Sequence, residues 1–163
     1  MPPIVWNRAI EKRVDAVALS SEAALPGARE ALNSRLKNGR YLAAAVLWRM
    51  DHDEKTLSPL LSVLAGAPAA AGAPGAALDE IAFVMRYARY RPAVPVLWKK
   101  ISDIGSGNPY ARIEYAGAIV AIDGDPRALD LLRTVAYGDD HAYKDADVPP
   151  SRLAAAYLKE AVK

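Results

Sequence analysis

The chain has no cysteine, a single phenylalanine, and no apolar run long enough to cross a bilayer. Each absence removes a class of protein. Without cysteine there are no disulfides, no thiolate metal sites and no thiol nucleophile, which fits a reducing compartment. A membrane-spanning helix needs about 20 apolar residues in a row. Charges at Arg8, Glu11, Lys12, Arg13 and Asp15 break up the start of the chain instead. The expectation is a soluble, cytoplasmic protein with no membrane partner. The net charge of +2 over 163 residues is too small to demand a polyanionic partner. It is unevenly spread, with the first 40 residues net basic and residues 111–163 net acidic. Reactive motifs are also missing: no P-loop, no Gly-x-Ser-x-Gly, no His-Glu-x-x-His. The carboxylate pairs are expected in turns, where water would leave them without the perturbed acidity that catalysis needs. The expectation is a protein that is not an enzyme and carries no cofactor.

Alanine and helical periodicity fill the chain. Apolar residues make up 52% of it, much of this alanine, the strongest helix former. Strand-type alternation is absent. The periodicity predicts a first helix near 6–20 and a second reaching about 37, with Pro26-Gly27 as the break between them and Asn38-Gly39 as a stop. A third helix is predicted over 40–50. A fourth follows, capped by Asp53, with Leu57, Leu60, Leu61 and Leu64 on one face. Residues 66–76, rich in Ala, Pro and Gly, read as a loop. Further helices are predicted over 77–90, 92–104, 108–122 and 125–138, with proline at or near their starts. Ser151 is expected to cap a terminal helix over about 151–162.

The chain also resembles itself. Residues 40–66 align without a gap on 112–138, at an offset of 72. Arg40 meets Arg112, Ala44 meets Ala116, Asp51-His52-Asp53 meets Asp123-Gly124-Asp125, and Leu57 and Leu60 meet Leu129 and Leu132. A third, less regular copy lies between them, with Arg89-Tyr90-Arg91 in place of the paired aspartates. A period near 35 residues points to stacked helical hairpins, each too thin to bury its apolar side alone. The expectation is one all-α domain over 1–163, an α-solenoid wound as a right-handed superhelix. It would hold about four stacked hairpins near 6–37, 40–66, 77–105 and 108–138.

The stretch Ala111–Gly138 carries a family likeness. It rests on Ala116, Ile119, Ile122, Asp123, Gly124, Asp125, Pro126, Ala128, Leu129 and Leu132. This pattern resembles a HEAT-like repeat of the armadillo/HEAT type, in the short bacterial form found in bilin-lyase-type proteins. The resemblance implies a scaffold that binds another protein through a concave face built by the second helices of the hairpins. On this chain those helices carry Arg29, Arg35, Ser62, Lys99, Lys100, Arg127, Asp130 and Arg133. It leaves two alternatives: a nucleic-acid groove like that of the HEAT-like DNA glycosylases, and a bilin-lyase-like accessory role.

A second candidate surface is the basic and aromatic cluster Arg86, Tyr87, Arg89, Tyr90 and Arg91. Arginine and tyrosine together suit phosphate or acidic partners. The same cations also suit a helix C-terminus for dipole reasons alone. Both histidines, His52 and His141, lie beside aspartates, but neither segment has metal-ligand spacing, and no metal site is expected.

Overall fold

The computed structural model describes residues 3–19, 24–32, 37–66 and 76–161. They form nine α-helices and one short 3₁₀ turn, with no strand among them. The helices are α1 (Pro3–Leu19), α2 (Ala24–Leu32), α3 (Lys37–Asp51), α4 (Glu54–Gly66), α5 (Ala76–Tyr87), α6 (Ala93–Ile104), α7 (Pro109–Asp123), α8 (Pro126–Ala136) and α9 (Pro150–Ala161). Most of the predicted loop, residues 67–75, lies outside the described residues.

Two expected breaks lie inside helices. Pro26 and Gly27 sit in the first turn of α2. A proline there gives up an N–H that has no helical partner anyway. Asn38 and Gly39 open α3 rather than closing α2. The terminal helix is also capped differently. Ser151 lies within its first turn, and Asp140 reaches over from the preceding loop. The Asp140 carboxylate accepts from the Ser151 backbone N–H at 3.2 Å and from its hydroxyl.

The odd-numbered helices form the inner layer. Five consecutive residues are buried in each of α3 (43–47), α5 (81–85) and α7 (115–119). A helix buried on every side has neighbours on every side. Accordingly α1 packs on α3, α3 on α5, α5 on α7 and α7 on α9. Alanine at 43–45, 116 and 118 keeps these central helices slim. The even helices bury one stripe each: Leu57, Leu60 and Leu64 on α4, Ala93, Leu97 and Ile101 on α6, Ala128 and Leu132 on α8. Each packs on the odd helix that follows it, α2 on α3 through α8 on α9. This modifies the first and third hairpins, whose second helices lie chiefly on α3 and α7.

The buried runs begin at 43, 81 and 115, and the corners after them repeat the same step. His52, Arg89 and Gly124 each adopt a left-handed backbone, with φ of 53°, 48° and 73°. The outer two corners share one hydrogen-bond pattern. His52 N–H donates to Trp48 O and Gly124 N–H to Val120 O, both at 2.9 Å. Asp53 N–H donates to Asp51 Oδ1 at 2.9 Å, and Asp125 N–H to Asp123 Oδ1 at 3.1 Å. Asp53 then accepts from Lys55 N–H, as Asp125 does from Arg127 N–H. The middle corner reaches the same left-handed turn differently. Arg89 N–H bonds Arg86 O and Tyr90 N–H bonds Met85 O, which is a Schellman closure.

The inner layer is curled. α1 also touches α9, the last helix, and the two are joined by an ion pair between Arg8 and Glu160 at 2.7 Å.

Candidate functional site

The curl brings α1, α5 and α9 together around Arg86, near the end of α5. Its guanidinium meets Glu160 Oε2 at 3.1 Å and Glu11 Oε1 at 3.8 Å, and lies 5.4 Å from the centre of the Tyr157 ring. The Arg86 side chain is 12% exposed, so these pairings are made largely out of water. Burial pushes the Glu11 carboxyl above its ordinary acidity range, against the pull of Arg86. Tyr157 is buried, and its hydroxyl donates to Glu114. Burial first, and then the Glu114 charge, raise that phenol well above its usual value.

Tyr87, one residue on, points to another partner. Its hydroxyl donates to Asp15 Oδ1 of α1 at 2.7 Å, and Asp15 also receives Arg49 Nε of α3 at 3.1 Å. Burial and the Asp15 carboxylate push the Tyr87 phenol up. Tyr90 is buried against Trp48, with ring centres 6.2 Å apart, and Trp48 in turn meets the edge of His52 at 5.3 Å. The expected basic and aromatic cluster is therefore divided. Arg86, Tyr87 and Tyr90 face inward, and Arg89 and Arg91 are exposed. The division follows from helix geometry: neighbours in sequence leave a helix about 100° apart, and a corner separates them further.

The residues expected on the second helices also fall into different settings. Arg35 lies outside the described residues. Arg29, Ser62, Lys99, Arg127, Asp130 and Arg133 are exposed. Lys100 is corrected: it is 3% exposed, on the buried stripe of α6, and so forms no part of a docking face. Lys99 pairs with Asp103 at 2.8 Å and Arg133 with Asp130 at 2.8 Å, short-range pairs along single helices. Val63 on α4 and Tyr137 at the end of α8 add exposed apolar area, 52% and 87% of each residue.

Arg127 belongs to a group that spacing alone does not reveal. Its guanidinium lies 4.9 Å from the Trp98 ring centre and bonds Asp125 at 2.6 Å, while the Trp98 indole N–H donates to Asp125 Oδ2 at 3.0 Å. Asp125 thus caps α8 and ties it to α6. The Arg127 hydrogen bond, with help from Trp98 and against partial burial, holds the Asp125 carboxyl down at about 2. The Asp-x-Asp motif marks Asp125 as a cap, but nothing in the sequence marks Trp98 as its partner.

Among the described residues no group of three or more His, Asp or Glu side chains converges as a metal site. None of their helices is long and apolar enough to cross a membrane. Comparison with protein families, curated proteins and solved structures finds no match for this chain.

Proposed function

We propose that the chain is a non-catalytic binding module: a HEAT-like α-solenoid of about four hairpins that holds another protein on the outward faces of its second helices. One observation carries this reading. The left-handed corners at His52, Arg89 and Gly124 recur at steps of 37 and 35 residues, each after a helix with five buried residues in succession. Repetition of one supersecondary unit creates extended surface, and binding is the use such surface serves by analogy with other arrays.

The resemblance places the partner on a concave face. The curl argues for the opposite side. The inner layer closes on itself through Arg8, Glu11, Arg86 and Glu160, while α4, α6 and α8 keep one face in solvent. That outer face carries mixed charge at Lys99, Asp130 and Arg133. Exposed Val63 and Tyr137 can act as apolar anchors of the kind that dominate interfaces.

The test is affinity capture from native lysate, comparing the wild-type chain with a Lys99→Glu, Arg133→Glu, Tyr137→Ala variant. The expected result is a stoichiometric protein retained by the first and lost by the second, at equal helicity by circular dichroism. Equal capture by both would remove the outer face from the proposal. The absence of any saturable protein would remove the binding role.

A further inference from the structure

A cavity of about 480 Å³ opens beside the Arg86 network, between the ends of α5, α7, α8 and α9. Its volume falls in the range of small-ligand sites, roughly 300–1,000 Å³. One wall is apolar: Val120 and Ala121 of α7, Leu129 of α8 and Ala161 of α9. The other is charged, formed by Arg86, Arg89 and Glu160. The floor is Gly117, against which the Tyr157 ring is pressed.

The charges on that wall do not cancel. Glu160 is shared by Arg8 and Arg86, and Glu11 lies against Arg86 as well. Among the side chains that line the cavity, Arg86 and Arg89 face a single carboxylate, Glu160. Arg89 is then in excess, and it makes no ion pair or side-chain hydrogen bond among the described residues. It is exposed, lines the cavity, and stands in a left-handed conformation that favours glycine. Arg86 adds a further donor, since its buried Nη1 has no hydrogen-bond partner among the described residues. A buried donor in that state gains from any acceptor that reaches it.

We propose that this cavity binds a small amphiphilic monoanion: a carboxylate received by Arg89 at the mouth, beside the Arg86 guanidinium, with a short aliphatic chain along Val120, Leu129 and Ala161. One anionic head suits a wall with one cation in excess. A polyphosphate does not, because Glu160 would repel the added charge. The site is independent of the outer face proposed for a protein partner.

The probe is octanoate, titrated into the full chain by calorimetry, with octanol as the uncharged analogue. Saturable one-to-one binding with Kd below about 1 mM is expected, with octanol at least tenfold weaker. Arg89→Gln, a change at an exposed position, weakens octanoate about tenfold and leaves octanol unchanged. Leu129→Trp fills the apolar wall and abolishes both. If Leu129→Trp does not fold, Arg89→Gln decides alone. Octanol binding as tightly as octanoate, octanoate indifferent to Arg89→Gln, or no binding at ~10 mM would each overturn the assignment.

Discussion

Gly117 lies directly beneath the ring of Tyr157. A Cβ built at Gly117 would stand 2.4 Å from Tyr157 Cδ1 and 2.5 Å from Cε1. The ring cannot easily retreat, because Tyr157 is 4% exposed and its hydroxyl is held by Glu114. This contact sets the distance between α7 and α9. Gly117→Ala is expected to destabilise the fold by about 1–3 kcal/mol in denaturant unfolding, the usual range for overpacking. Adding Tyr157→Leu, a slimmer side chain, should recover part of that loss. A Gly117→Ala variant stabilised by the roughly 1 kcal/mol that alanine gains in an unobstructed helix would contradict the close approach.

Gly117 stands in the middle of α7, where a small residue could equally serve its own hairpin partner, α8. It serves the helix after the hairpin instead. The difference shows where legibility ends. Helix count, the outer corners and the buried stripes of α4 and α8 follow from local periodicity and from Asp-x-Asp capping. The order in which helices pack depends on long-range contacts that no local pattern carries. Arg8, Glu11, Asp15 and Glu160 look like ordinary surface charges on amphipathic helices. Only the curl, which brings α1 against α9, makes them partners of Arg86 and Tyr87. Trp98 and Asp125 are likewise 27 residues apart and meet only because α6 and α8 converge.

Asp125 gives the fold an acid sensitivity of known sign. Its folded carboxyl ionises at about 2, below the ordinary 3.8. A depressed carboxylate stabilises the fold fully above the unfolded value and loses that contribution as pH falls through the folded one. Wild-type stability should therefore drop between about pH 4 and pH 2. Asp125→Asn should cost about 1 kcal/mol at pH 7, modest because Arg127 is largely exposed. It should also flatten this part of the pH curve. Chemical denaturation from pH 7 to pH 2 reads both effects.

The three corners should respond differently to glycine and alanine. Arg89→Gly relieves a left-handed arginine and should stabilise by about 0.5 kcal/mol, after the entropy that glycine adds to the unfolded chain. His52→Gly should be close to neutral, because the same relief is offset by loss of the edge contact with Trp48. Gly124→Ala should cost about 1 kcal/mol by conformation alone, since no atom lies within 4 Å of a new Cβ there. Thermal unfolding of the three variants ranks them. A destabilising Arg89→Gly or a neutral Gly124→Ala would mean that these corners are not left-handed.

Burial separates the partners of Glu160. Arg8 is 52% exposed, and Arg8→Ala should cost less than about 1 kcal/mol. Glu160→Gln leaves Arg86, 12% exposed, without its nearest carboxylate, and should cost about 2 kcal/mol or more. A larger effect at Arg8 than at Glu160 would reverse the roles given to the two sites.

The curl decides which side of the molecule is left for the proposed partner. Spin labels at Lys12 on α1 and Lys159 on α9, placed on a chain with no native cysteine, measure it by double electron–electron resonance. The curled inner layer predicts one narrow, short distance that broadens when Glu160 is replaced by alanine. A long or broad distribution in the unaltered sequence would mean that the first and last helices stand apart, and that the inner face is open to a partner after all.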